Sequence, residues 1–227
     1  MEENKSVFKI MGKWLLVSIA ILLLGFIFAC LFYIVHLIRT GEWQSQQLSN
    51  STEQENVKAL QQMTKNSPWL GAANPQVTII EFGDFSCTLC QESFSTIREI
   101  SRKYKDQVKI IFKDFPVISE NSASLALAAR CANEQGLFWP MYDKLFINQG
   151  VTTQEQLSEL AKQIGADTSR FTTCFNNKKY LKDIQQDYAD GETLKITGTP
   201  TWFINGNKVE GAIPHDTFIN IIEQFLK

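Results

Sequence analysis

Cys87 and Cys90, with Thr88 and Leu89 between them, are the residues best placed by type and spacing to do chemistry. They follow Gln76–Phe82, an apolar, β-branched run that reads as a buried strand, and Gly83-Asp84-Phe85-Ser86, which breaks it. They precede Phe94, Ile97, Ile100 and Tyr104, which recur at helical spacing. A cysteine at such a strand-to-helix junction meets unpaired N–H groups and the positive end of the helix dipole, and both favour its thiolate. The thiolate is the species that attacks a disulfide. Cys87 is therefore the expected nucleophile, and Cys90, one turn on, the resolving thiol. The same spacing makes half a zinc site, but structural zinc takes four ligands. The chain has no second CxxC, and its two histidines, His36 and His215, lie far off in sequence. Neither a metal nor a cofactor is expected.

The elements around the dithiol are legible in outline. Val108–Phe112 reads as a second strand, stopped by Pro116, so the first stretch is strand–helix–strand with a parallel pair. Helical spacing follows in Ser122–Asn133, ending before Gly136, and in Leu137–Ile147. Thr152 and Glu155 make a capping box for a helix with Leu157, Leu160, Ala161 and Ile164 on one face. One further helix is expected from Phe171 to about Tyr188. Thr201–Ile204 and Asn207–Glu210 flank Asn205-Gly206, the strongest two-residue hairpin signal, and a last helix opens at Pro214. The fold class is α/β, with β-α-β and β-β-α halves separated by a helical insertion over about 118–190.

Gly198-Thr199-Pro200-Thr201 stands just before the TWFI strand. A proline there makes a simple bend or a cis peptide. A cis bond would expose the backbone of Thr199 to an extended peptide beside the dithiol, and the residues leave both isomers open.

The run EFGDFSCTLC, the segment GTPTWFING far downstream and the helical stretch between them resemble the DsbA-like branch of the thioredoxin superfamily, over roughly residues 68–227. The resemblance implies a thioredoxin-like fold with a helical insertion, Cys87 and Cys90 at the start of the first long helix, and a cis Pro200 packed against them. The implied activity is thiol–disulfide exchange with protein substrates. By position it also assigns Glu81 as a buried acid beside the dithiol, with Lys113 as its partner in proton transfer. The alternative is a strand-end Glu and Lys facing solvent. Asp84 reads as a solvated loop residue or a cap. Leu89 stands where strongly oxidising relatives often carry His, and it cannot donate a hydrogen bond to the Cys87 sulfur.

Cys131 and Cys174 fall on insertion helices among apolar neighbours. They are either buried thiols or a structural disulfide, which would contribute about 4 kcal/mol through loop closure. Phe85, Trp139 and Trp202 are aromatic candidates for a surface that meets unfolded chains, although each taken singly reads as core.

From Trp14 to Ile38 the chain carries no Lys, Arg, Asp or Glu. That length suits a transmembrane anchor better than a cleaved signal or a lipoprotein start at Cys30. Lys5, Lys9 and Lys13 precede it and point to an N-terminus inside. The organisation expected is an inner segment 1–13, an anchor 14–38, a polar stalk 39–67 with a short helix around Val57–Met63, and the DsbA-like domain 68–227, outside a cytoplasmic membrane. With 22 Lys and Arg against 24 Asp and Glu, nothing suggests a nucleic-acid partner. The expected function is a tethered oxidase of exported cysteine-containing proteins, reoxidised by a membrane redox partner such as a quinone-linked oxidase. A reductase fed by a membrane electron carrier, an isomerase and a non-enzymatic anchored peptide-binding module are the alternatives.

Overall fold

The computed structural model describes residues 22–39 and 57–227. They belong to two compact units, divided between Glu55 and Asn56. In the first, α1 (Leu22–Arg39) is an 18-residue helix of mean hydropathy 2.2, long and apolar enough to cross a membrane. The expected inner segment, the first part of the anchor and most of the stalk lie outside the described residues.

The second unit is built on a five-stranded sheet of β1 (Trp69–Gly71), β2 (Val77–Gly83), β3 (Val108–Asp114), β4 (Thr201–Ile204) and β5 (Asn207–Glu210). The spatial order is β1-β3-β2-β4-β5. Only β2 and β3 pair in parallel, and α2 (Thr88–Lys103) makes the crossover between them. Alternation along the strands sorts side chains to two faces. Val77, Ile79, Val108 and Ile110 pack with Ile97 and Ile100 of α2 and with Phe218 and Ile222 of α8 (His215–Phe225). Ile80, Phe82 and Ile111 pack on the other face with Leu60, Phe115 and Phe203.

The insertion comprises α3 (Ser122–Asn133), α4 (Phe138–Ile147), α5 (Gln154–Gln163), α6 (Thr168–Asn176) and α7 (Leu181–Thr193). Residues Leu125–Ala132 of α3 are all buried, and their small Ala side chains let several helices approach at once. Cys131 of α3 and Cys174 of α6 form a disulfide with Cα atoms 5.7 Å apart.

Three expectations are corrected, and one strand is added. The compact unit that carries the sheet starts near residue 56, not 68: residues 57–63 form the short helix expected there, but Leu60 is buried against the sheet, so this segment belongs to the domain and not to a stalk. One buried leucine in a polar stretch leaves no periodicity to read. β1 is too short, at 3 residues, to show alternation. The helix expected from Phe171 to Tyr188 is two, α6 and α7, separated at residues 177–180, where Lys178 takes a φ of 49°. The capping box is one residue on: Thr153 Oγ1 accepts from Gln156 N–H at 3.3 Å, and Gln156 Oε1 accepts from Thr153 N–H at 3.1 Å.

Candidate active site

β2 ends at Gly83, and Asp84 shapes the turn that follows. Its Oδ1 accepts from Ser86 N–H, and its Oδ2 accepts from Val117 and Ile118 N–H, each at 2.8 Å. Asp84 is buried, so it is neither the solvated residue nor the helix cap expected; it clamps two loops together. The N-cap of α2 is Cys87 itself, in extended backbone (φ −82°, ψ 123°). Its sulfur accepts from Cys90 N–H at 3.3 Å, satisfying one of the orphan donors at the helix start. From the insertion, Gln149 Nε2 donates to the carbonyls of Phe85 at 3.0 Å and Cys87 at 2.9 Å, which ties the cap to the end of α4.

The Thr199–Pro200 bond is cis. As a thiol, Cys87 donates from Sγ to the Thr199 carbonyl at 3.2 Å. Cys87, Cys90 and the backbone before Pro200 are thus brought together, as the family resemblance implied. Cys87 is 4% exposed and Cys90 is fully buried. Phe85 and Trp202 are core residues, the reading that each suggested singly, and Trp139 is half-buried. Exposed apolar side chains on the segments next to the dithiol turn are Leu89 in the first turn of α2, Val117 and Ile118 on the loop held by Asp84, and Ile147 at the end of α4.

The two thiols differ electrostatically. A hydrogen bond from the Cys90 thiol does most to bring Cys87 down to about 6; the Thr199 hydroxyl and the N–H groups of Cys90 and Leu89 assist, and burial opposes. Burial pushes Cys90 far up, and its bond to Cys87 and the charge of Glu81 push the same way. Cys87 is the sulfur ionised at neutral pH. In the reduced protein, alkylation of Cys87 by iodoacetamide is expected to rise through a midpoint near pH 6, because only the thiolate reacts. A midpoint above pH 8 in a pH-jump alkylation series would show that the site does not acidify this sulfur.

Glu81 lies on β2 opposite Phe112 and Trp202 and is fully buried. Burial raises it to about 8, a hydrogen bond from Tyr142 partly offsets this, and the Cys87 charge adds to it. The expected partnership with Lys113 is not formed. Lys113 follows Phe112 on β3, so the pleat turns it to the opposite face. There its Nζ meets Asp187 at 2.5 Å, Asp190 at 2.6 Å and the Met63 carbonyl at 2.8 Å. The donor to Glu81 is Tyr142 Oη, 3.0 Å from Oε2. Tyr142 and Gln149 escaped sequence reading because each reaches the site from the insertion with no motif of its own.

Fold and site together define a thioredoxin-fold domain with an asymmetric dithiol at a helix N-terminus. Residues 63–224 match the model of a thioredoxin family, and the chain belongs to that family. Among solved structures, the chain is similar to the thiol-disulfide exchange protein α-DsbA2 of Wolbachia pipientis (TM-score 0.67, 20% identity, 77% of this chain and 97% of that one). It is also similar to oxidised BdbD of Bacillus subtilis (TM-score 0.64, 24% identity, 71% and 94%). The catalytic domain of Proteus mirabilis ScsC is a third such structure (TM-score 0.67, 22% identity, 76% and 98%). Among curated sequences it is 28% identical over 144 residues to a Na+/H+ antiporter NhaA 1 of Salinispora arenicola, covering 63% of this chain and 22% of that protein. An NhaA of Herminiimonas arsenicoxydans matches at 25% over 153 residues, 67% of this chain and 24% of that protein. The chain therefore spans about a quarter of the length of these curated relatives.

Proposed function

We propose that this protein is a membrane-tethered thiol–disulfide oxidoreductase that donates its Cys87–Cys90 disulfide to exported proteins. The observation that carries this reading is the pairing of an acidified N-cap Cys87 with a buried, un-ionised Cys90 beside the cis Thr199–Pro200 bond. A substrate thiolate attacks Cys87 Sγ, the Cys87–Cys90 bond breaks as Cys90 leaves, and a mixed disulfide forms; a second substrate thiolate then attacks the substrate sulfur of that bond, closing the substrate disulfide and releasing Cys87 as thiolate. Leu89, Val117, Ile118 and Ile147 offer apolar contact to an unfolded chain around the attacked sulfur. The description of the Wolbachia neighbour as a thiol-disulfide exchange protein supports the same reaction class here.

Direction follows from which redox state the site stabilises. A thiol that ionises near 6 rather than near 9 stabilises the dithiol form at pH 7, by at most about 1.4 kcal/mol, or about 30 mV towards an oxidant. This contribution favours disulfide donation. Glu81 serves as proton partner of Cys90, taking its proton when the thiol must attack and returning it when the thiolate leaves. The helix α1 is the tether, with Lys5, Lys9 and Lys13 on the inner side and the catalytic unit outside, near exported substrates and a quinone-linked membrane oxidase.

The test is the reduction potential of the dithiol in the full chain, equilibrated with glutathione buffers. A value above about −180 mV is expected, between isomerase-like and strongly oxidising couples. A value near or below about −250 mV would overturn donation and make this a reductase fed by a membrane electron carrier.

A further inference from the structure

Tyr142 is fully buried, and its ring is held on several sides: Phe146 at 4.8 Å, Phe112 at 5.5 Å and Phe85 at 5.9 Å, each close to perpendicular. A phenylalanine would satisfy those contacts equally. The hydroxyl has one hydrogen bond, to Glu81 Oε2. The second carboxyl oxygen, Oε1, is buried and has no hydrogen-bond partner among the described residues.

That free oxygen lies at the dithiol end of β2. A Cβ added to Gly83 would come within 3.1 Å of it and within 2.7 Å of the Phe112 ring. Glycine at 83 thus keeps open the space beside Oε1, on the strand residue just before the Asp84 turn. The titratable groups facing Glu81 are Tyr142 from α4 and Cys87 and Cys90 from α2. β3 and β4 present Phe112 and Trp202. On α4 the nearby Asp143 is paired to Arg98 of α2 at 3.0 Å, and its charge acts on Tyr142. No cation among the described residues pairs with Glu81, so one phenolic hydroxyl is its only donor.

We infer that Tyr142 is the positioning residue for proton exchange at the dithiol: its hydroxyl holds Oε2 of Glu81 and leaves Oε1 to trade the proton of Cys90. This rests on the assignment of Glu81 as proton partner. In the resolving step, Cys90 gives its proton to ionised Glu81, and its thiolate attacks Cys87 Sγ. The Cys87–Cys90 bond forms, and the bond to the substrate sulfur breaks, the electron pair leaving as substrate thiolate. In disulfide donation, incoming thiolate attacks Cys87 Sγ, and Cys90 leaves with the electron pair and takes the proton back from Glu81. The hydroxyl donates to the ionised carboxylate more strongly than to the neutral acid, so it keeps Glu81 able to accept.

The experiment compares the full-length protein in detergent with Y142F, E81Q and the double variant. Reduced protein is mixed with glutathione disulfide, and closure of the Cys87–glutathione mixed disulfide is followed by rapid acid quench from pH 6 to 10. Y142F is expected to close about tenfold more slowly at pH 7, the worth of one hydrogen bond to an ionised group, with the deficit shrinking at alkaline pH. In the E81Q background the same substitution is expected to change nothing. A carboxyl 13C titration should show the Glu81 midpoint moved upward in Y142F. An unmoved midpoint, or an equal slowing by Y142F with and without Glu81, overturns the positioning role and leaves Tyr142 a packing residue. An unchanged pH profile in E81Q alone instead removes Glu81 as proton partner, and the inference falls with it.

Discussion

Cys87→Ser is expected to abolish disulfide exchange with a cysteine-containing peptide, while Cys90→Ala stops after one attack and accumulates mixed disulfides through Cys87. The asymmetry follows from the geometry. Only Cys87 caps α2, accepting from Cys90 N–H, and only its sulfur is held in the thiolate range near neutrality. Serine in its place is un-ionised at any accessible pH and cannot form the sulfur–sulfur bond. Cys90 is fully buried and pushed upward, so it neither meets substrate nor attacks first. Its loss leaves the first step intact and removes the intramolecular escape from it. Non-reducing electrophoresis of each variant with an excess of peptide disulfide separates these outcomes. Mixed disulfides through Cys90 in Cys87→Ser, or full turnover in Cys90→Ala, would reverse or dissolve the assignment of roles. Retained biological function in Cys87→Ser would favour a non-enzymatic binding module.

The dithiol was readable because everything that positions it is local. A β-branched strand, a broken turn and a helical period lie within one short stretch, and the N-cap position follows from the join. The cis-proline segment was readable as a motif but not as a geometry, since Thr199 lies 112 residues from the cysteine that donates to it. Glu81 was readable by position and misread by partner. Parallel pairing sets Glu81 against Phe112, and the next residue, Lys113, must face away. Only the register decides this, and register depends on the whole sheet. Tyr142 lies 61 residues from the carboxyl it serves, on a helix whose apolar period looks like ordinary core. The start of the unit was hidden for a different reason. Residues 57–63 contribute a single deeply buried leucine, and the Met63 carbonyl is held by a lysine far along the chain.

The face that received Lys113 sets the largest expected stability effect. Arg130 Nε donates to Asp114 Oδ2 at 2.6 Å, and its terminal nitrogen donates to Asp187. Lys113 bridges Asp187 and Asp190, and Asp187 also accepts the Asp114 N–H at 3.1 Å. Two cations thus hold three carboxylates between β3, α3 and α7, and Lys113, Asp114 and Arg130 are all buried. Arg130→Met retains much of the volume and leaves Asp114 and Asp187 without their guanidinium. Removing one member of a buried pair costs about 3–5 kcal/mol, because the remaining charge stays desolvated. The pH dependence has a definite sign. Burial raises Asp114 to about 6 although Arg130 opposes it, against 3.8 for the free group. The folded state therefore binds the extra proton between those values, and this group's contribution to stability falls as pH rises through that window. Without Arg130 the carboxyl rises further, and the window extends to higher pH. The deficit of Arg130→Met is thus expected to be largest near pH 7.5 and to narrow towards pH 5, where Asp114 is protonated. Urea titration of the full chain in detergent, followed by tryptophan fluorescence at both pH values, measures it. A loss below about 1 kcal/mol, typical of exposed pairs, would mean the network is solvated rather than buried. A loss of full size at both pH values would place the cost in packing and remove the ionisation of Asp114 from the account.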